Sequence, residues 1–385
     1  MPTGAEKVYY LNNSATSYPK PLEVVETVAA ALSDPPAMSG RGEEAGTRDL
    51  VRLAREDLAN FFGCPDAARL IFCSNATDGL NLAIHGLLGE GGGHAVTTTN
   101  DHNSVLRPLR TLEAEGRIKL TVVPSDRDGR LSAERIGEAL RPDTRLLAVN
   151  HLSNVVGTIA PVEELGGICR RRGVIFLVDA AQSAGVLDVD VGRMKIDLMA
   201  FTGHKYLLGP TGIGGLYVGE GVELRPRKQG GTGVQSAHSL QPAGLPIRYE
   251  AGTVNYVGIV GLRAGVGFLR KRGLERVRSR IMRLRRECEE GLRATDGVTV
   301  WGPPADVEKG AVVSFTIEGH GVDEVDEILR RRYRIVTRSG LHCAPLCHET
   351  IGTGPLGTVR ASFSCLTGDD WPDALVEAVR EIAAD

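Results

Sequence analysis

Between Arg69 and Asp179 short apolar runs alternate with stretches of helical period. Arg69–Cys73, His94–Thr99, Lys119–Val123, Arg145–Asn150 and Val174–Asp179 read as strands. Thr77–Leu88, Ser104–Ala114, Ser132–Leu140 and Val162–Arg171 read as the helices that join them. Strands joined through helices pair in parallel, and a parallel sheet needs helices over both faces. The expected fold class is therefore α/β, with a mostly parallel sheet. In such sheets ligands bind beyond the carboxyl ends of the strands. Asn75-Ala76-Thr77, Asp101-His102, Asn154, Asp179 and Lys205 all fall there.

Outside this block the pattern changes. Pro19–Leu32 reads as a helix with Leu22, Val25, Val28 and Leu32 on one face, stopped by Asp34-Pro35-Pro36. A second helix is expected from about Glu43 to Phe62, with Leu50, Leu53, Leu58 and Phe61 on one face. Gly258–Glu290 reads as one or two long helices with a buried stripe of Leu274, Val277, Ile281, Leu284 and Cys288. Ala311–Ile317 and Thr358–Ser364 read as strands of a smaller α/β domain. A chain of 385 residues is long for a single core and suggests two domains. We expect an N-terminal segment over 1–20 that packs with the small domain, a large domain over 21–255 and a small C-terminal domain over 256–385.

Composition narrows the function classes. The net charge of −3 gives no global attraction to nucleic acid or membrane. The helix around residues 270–286 is rich in arginine, but no aromatic side chains interleave to stack on bases, and a solvated helix face is the preferred reading. No nucleic acid and no membrane are expected as partners. The first residues lack the basic start and apolar core of a signal peptide, and no apolar run approaches the roughly 20 residues of a membrane span. Seven scattered cysteines, an odd number, suggest reduced thiols and a cytoplasmic location.

The chemistry concentrates in two stretches. VIFLVDAAQ ends an apolar strand on Asp179, and AFTGHKYLLGPTGIGGLYV carries Lys205 after another apolar run. A strand-end carboxylate paired with a strand-end lysine is what pyridoxal 5'-phosphate (PLP) needs. The lysine forms a Schiff base, and the carboxylate keeps the pyridine nitrogen protonated so that the ring accepts electrons. Ser74-Asn75-Ala76-Thr77 opens a helix whose free amides, with the Thr77 hydroxyl, suit a phosphate; a plain N-cap is the alternative. Thr202 and His204 add possible phosphate donors. The glycine-rich Gly209–Gly215 matches neither a P-loop nor a dinucleotide fingerprint and reads as a turn passing close to the cofactor. His102 is placed to stack on a ring and move protons, or to serve as a structural histidine. In RSGLHCAPLCH, Cys343 lies beside His342 and near Arg338, surroundings that favour a nucleophilic thiolate. Cys343 and Cys347 also have zinc-like spacing, but no second such pair occurs elsewhere in the chain. Arg360 has the geometry to clamp a carboxylate, or to form a surface ion pair.

Assembled, these residues resemble the class V aminotransferase-like PLP enzymes, and among them the cysteine desulfurases and selenocysteine lyases. The resemblance runs from YLNNSATSYPKP at Tyr10 to RASFS around Arg360. It is carried most specifically by NHLSNVVGT, VDAAQSAG, FTGHKYLLGPTGIG, YEAGTVN and RSGLHCAP. It implies the PLP-dependent transferase fold of type I and conversion of L-cysteine to L-alanine. Lys205 would hold PLP, Asp179 would pair with the ring nitrogen, Gln182 would bond the ring hydroxyl and His102 would stack on the ring. Ala76, Thr77, Thr202 and His204 would hold the phosphate. Thr253 would reach the neighbouring subunit's phosphate, implying a homodimer with shared sites. Asn154 and Arg360 would bind the amino-acid substrate, with Arg338 assisting, and Cys343 would accept sulfur for transfer to a protein acceptor. A lyase or epimerase acting on selenocysteine or a cysteine conjugate is the alternative. Asn103-Ser104-Val105, Thr202 and Phe363-Ser364-Cys365-Leu366 depart from the best-known desulfurases and mark a divergent branch.

Overall fold

A computed structural model describes residues 7–33 and 49–385. In chain order the elements are β1 (Tyr9–Tyr10), α1 (Leu22–Ser33), α2 (Leu50–Phe61), β2 (Leu70–Cys73), α3 (Ala76–Leu88), β3 (His94–Thr98), α4 (Asn103–Ala114), β4 (Lys119–Val123), α5 (Ala133–Ala139), β5 (Thr144–Asn150), α6 (Val162–Arg172), β6 (Ile175–Asp179), β7 (Leu198–Thr202) and β8 (Gly214–Val218). There follow α7 (Tyr256–Arg272), α8 (Leu274–Arg293), β9 (Val298–Trp301), β10 (Val312–Ile317), α9 (Val322–Arg332), β11 (Ile335–Val336), α10 (Pro345–Ile351), β12 (Val359–Ser362) and α11 (Trp371–Ala384).

The main sheet has seven strands in the order β2-β8-β7-β6-β5-β3-β4. Only β8 runs against the others, pairing antiparallel with both β2 and β7. The expected α/β class is thus the one observed. The central strands β5, β6 and β7 are buried on both faces, which is why they read as continuous apolar runs. Because β2, β3, β5, β6 and β7 are parallel, their carboxyl ends share one edge. The second sheet is antiparallel, β12-β10-β9. Strand β1 pairs in parallel with β11, and Asn12 bridges Ser362, so the chain start lies against C-terminal strands.

Two sequence expectations change in the folded chain, and the choice between one and two long C-terminal helices is decided. On α1 the expected stripe faces out: Leu22, Val25 and Leu32 are exposed, and Val24 is buried instead. This short helix is apolar on most sides, so its period does not select a face, and packing on α7 does. The glycine-rich stretch Gly209–Gly215 reads as a turn in sequence, yet its last two residues, Gly214 and Gly215, open β8 and belong to the sheet. A Cβ at Gly214 would lie 2.8 Å from Asn75 Cα and 2.5 Å from the Phe201 carbonyl oxygen, so only glycine lets β8 pass under the start of α3. The long C-terminal helix is two helices, broken at Gly273 with φ of 81°. Asp34-Pro35-Pro36 and the first part of the helix expected from Glu43 lie outside the described residues. Described α2 opens at the cap of Asp49, whose side chain accepts from the Arg52 amide at 2.9 Å.

Five of the seven arginines of α8 pair with carboxylates. Arg280 and Arg283 both bond Asp369, and Arg278 pairs with Glu308. Arg285 is buried and donates to Glu289 at 2.6 Å, which also accepts from Lys309 at 2.6 Å and Arg293 at 2.8 Å. A face whose charges are paired this way fits the solvated-helix reading.

Candidate active site

A cavity of about 200 Å³ opens at the carboxyl edge of the main sheet. Asn75, Ala76 and Thr77 reach it from the β2–α3 turn, and His102 and Ser104 from the β3–α4 turn. Asn150 and Asn154 come from beyond β5, Asp179 and Gln182 from β6, and Thr202, His204 and Lys205 from β7. Each residue lies within a few positions of a parallel strand end, so strand direction alone brings them together. Arg338, Cys343 and Arg360 stand beside this cavity, close enough that each acts on the charge of Lys205. Thr253 is the exception: it is exposed and lines a separate cleft with Arg52, Arg55 and Glu250.

Burial governs the electrostatics. The Lys205 ammonium is pushed down to about 8 by desolvation, against the pull of Asp179 and with the repulsion of Arg360 and Arg338. Burial raises the carboxyl of Asp179, opposed by the Ala181 amide, which donates to Oδ1 at 2.9 Å, and by Lys205. His102 and His204 are both held down at about 4, chiefly by burial and then by Lys205, so both rings are neutral at physiological pH. The Ser104 amide donates to His102 Nδ1 at 3.0 Å, which leaves the ring proton on Nε2. Ser104 Oγ lies 2.9 Å from that Nδ1 and 2.8 Å from Thr77 Oγ1.

The donor set fits a phosphate-bearing aldehyde cofactor. Thr202 Oγ1 and His204 Nδ1 are buried and have no partner among the described residues, an expensive state unless a polar group comes to meet them. Asn75 caps α3, its Oδ1 accepting from the Asp78 amide at 2.9 Å, while the Ala76 and Thr77 amides have no partner among the described residues and lie at the positive end of the helix dipole, which suits an anion. Gln182 donates through Nε2 to the Ser14 carbonyl at 3.1 Å, leaving its side-chain oxygen for a ligand.

Arg360 is fully buried. Its Nη1 donates to the Asn154 carbonyl at 2.8 Å, while Nε and Nη2 have no partner among the described residues. Two free donors of one planar guanidinium match a carboxylate. Cys343 is the one cysteine of seven that is not buried. Its loop is pinned on two sides: the Asn103 amide donates to the Cys343 carbonyl at 2.8 Å, and Asn154 Nδ2 donates to the His342 carbonyl at 2.7 Å. His342 and Cys343 both adopt left-handed backbone, with φ of 48° and 60°, a strain that persists where surrounding contacts impose it. Arg338 Nη2 lies 3.9 Å from the Cys343 sulfur. His342 itself is held well below its ordinary value, mainly by burial, so the cation beside Cys343 is Arg338 and not the neighbouring histidine. Cys347 is buried, with its thiol pushed up to about 12. Among the described residues no three histidine, cysteine or acidic side chains gather as metal ligands.

Sequence reasoning gave no site role to Asn150, Ser104 or the N-terminal residues that touch the Lys205 turn. Asn150 carries the same signal as Asp179, a polar residue closing an apolar strand, and pairs with it in register.

The chain is a member of the class V aminotransferase family, whose model matches residues 9–370. It is 33% identical to a probable cysteine desulfurase of Methanothermobacter thermautotrophicus, over 97% of this chain and 94% of that one. It is 31% identical to a cysteine desulfurase of Salmonella agona, over 96% and 92%. The fold matches the apo structure of a cysteine desulfurase from Thermococcus onnurineus with a TM-score of 0.88 at 33% identity, covering 98% of this chain and 95% of that one. A cysteine desulfurase from Escherichia coli matches with a TM-score of 0.87 at 27% identity, covering 98% and 94%.

Proposed function

We propose that this chain is a PLP-dependent cysteine desulfurase that removes sulfur from L-cysteine, releases L-alanine and carries the sulfur on Cys343. The observation that carries the reading is the one partly exposed thiol, on a pinned and strained loop, beside a buried lysine–aspartate pair. PLP, when bound, supplies an electron sink for the substrate carbon. Ala76, Thr77, Thr202 and His204 would hold its phosphate, Lys205 its aldehyde carbon and Asp179 its ring nitrogen, with His102 against the ring.

The chain's own groups do the rest. Arg360 receives the substrate carboxylate on Nε and Nη2, and Asn154 Oδ1, an acceptor also unpartnered among the described residues, is left to take a donor of the substrate. Lys205, easier to deprotonate than an exposed lysine, takes the proton from the substrate α-carbon. The Cys343 thiolate attacks the substrate sulfur. A sulfur–sulfur bond forms, the carbon–sulfur bond breaks with its electron pair left on the β-carbon, and protonation of the β-carbon together with return of the α-proton by Lys205 yields alanine. The Cys343 persulfide then passes its outer sulfur to an acceptor thiol. Thr253 lies outside the cavity of its own chain, which supports a homodimer in which each subunit lends this residue to its partner. The division into segments 1–20, 21–255 and 256–385 is part of the same proposal, as are a protein sulfur acceptor and a cytoplasmic setting. No helix among the described residues is long and apolar enough to cross a membrane.

The test is alanine release from L-cysteine with a reductant, wild type beside Cys343→Ala. The variant should keep its bound PLP and lose alanine release. Equal release from both would replace the desulfurase reading with a lyase in which the thiol is incidental.

A further inference from the structure

The carbonyl of His204, the peptide group that leads into Lys205, accepts from four donors of the N-terminal segment. The Ser17 amide lies at 2.9 Å, Ser17 Oγ at 3.1 Å, Thr16 Oγ1 at 3.2 Å and Lys20 Nζ at 2.9 Å. Lys20 Nζ also donates to Ser17 Oγ at 2.7 Å. The same segment bonds the residue after the lysine: Ser14 Oγ is 2.6 Å from Tyr206 Oη. Nothing local in the turn would hold a peptide in this place, so the orientation of the His204–Lys205 peptide is set by a segment far away in sequence.

One of the four donors is charged, and this is the unexpected part. Lys20 is mostly buried, and no carboxylate among the described residues pairs with it; burial alone pushes its ammonium down to about 8. A buried cation without a counter-ion is unfavourable, and a neutral donor would satisfy a carbonyl equally well. Its charge is felt at the His204 imidazole, whose Nδ1 is buried, unpartnered and part of the cavity wall. No carboxylate among the described residues supplies the missing counter-charge, and the cavity that the His204 ring lines is the neighbouring space open to an anion.

We propose that Lys20 is a further positioning residue of the active site: it clamps the His204 carbonyl and lends its positive charge to the anion that the His204 imidazole holds. This rests on the PLP reading, in which that anion is the cofactor phosphate.

The test uses the full chain freed of cofactor, as wild type, Lys20→Gln and Lys20→Arg. Glutamine keeps a donor for the carbonyl and removes the charge, so folding is preserved; arginine keeps the charge. Dissociation constants for PLP and for pyridoxal, which lacks the phosphate, are read from the visible absorbance of the bound cofactor. Lys20→Gln should weaken PLP about tenfold or more, the scale of an interaction with a charged group. Pyridoxal binding should change far less, and Lys20→Arg should restore most of the PLP affinity. Wild-type PLP affinity in Lys20→Gln would overturn the proposal. So would equal losses for PLP and pyridoxal with no rescue by arginine, which would mean a structural strut only. If the wild type takes up neither compound, the function reading falls and this proposal with it.

Discussion

Arg360 offers a sharp test, because its expected effects on activity and on stability have opposite signs. Two of its donors, Nε and Nη2, are buried with no partner among the described residues, and the third, Nη1, bonds the Asn154 carbonyl at 2.8 Å. If the two free donors receive the substrate carboxylate, Arg360→Met removes two hydrogen bonds between charged groups. At about 1.5–3 kcal/mol each, the loss is about 3–6 kcal/mol, or about 10²- to 10⁴-fold in kcat/KM. Arg360→Lys keeps the charge, loses the fork and should fall between wild type and methionine. Stability should behave differently. Burial, with repulsion from Arg338, pushes the guanidinium down from its ordinary value to about 10. A base whose pKa falls on folding costs the folded state stability at neutral pH, here about 3 kcal/mol. Losing the bond to Asn154 returns about 1 kcal/mol of that. Arg360→Met should therefore melt no lower than wild type while its kcat/KM collapses. The measurements are initial rates of alanine release across L-cysteine concentrations and a thermal melt of each variant without substrate. Unchanged kcat/KM in Arg360→Met would refute the carboxylate clamp. A melt lowered by many degrees would show that Arg360 is a structural strut.

Other outcomes follow from the same electrostatics. The amine of Lys205 reacts with PLP only when neutral, so the rate of PLP uptake by the cofactor-free protein should rise with pH up to about 8 and then level off; an exposed lysine would keep accelerating to far higher pH. Asp101 is buried, and its carboxyl is raised to about 6, chiefly by desolvation. The folded state thus binds that proton more tightly than the unfolded chain does, so this group's contribution to stability falls as pH rises from about 4 to about 6. Asp101→Asn should remove that slope, read as the difference between variant and wild-type melts across the window. Glu289 is the single carboxylate bonded by Arg285, Lys309 and Arg293, and Glu289→Gln should cost about 3–5 kcal/mol in a denaturant melt by leaving buried cations unpaired.

Much of the site was legible in the chain because the fold puts it at strand ends. A buried parallel strand is a continuous apolar run, so Asp179 and Lys205 announce themselves as polar residues where such runs stop. Parallel pairing then gathers those ends on one edge without any further information. The same logic fails for β8, whose glycines resemble a turn in sequence but are required by the close approach of Asn75. It fails for α1 too, where apolar residues on most sides leave the buried face undetermined.

By itself, the sequence determined the α/β class and the sheet edge at which the polar strand-end residues gather, and it marked Lys205, Asp179 and Cys343 as the candidates. Each of these depends on a local pattern of burial and polarity. Only the tertiary structure decided how those groups are held. The Asn103 amide and Asn154 side chain pin the Cys343 loop, Lys20 and Ser17 clamp the His204 carbonyl, and Thr253 stands outside its own chain's cavity. These contacts join residues far apart in the chain, mostly through backbone carbonyls. Every residue carries such a carbonyl, so nothing in the sequence marks which one a distant donor will find.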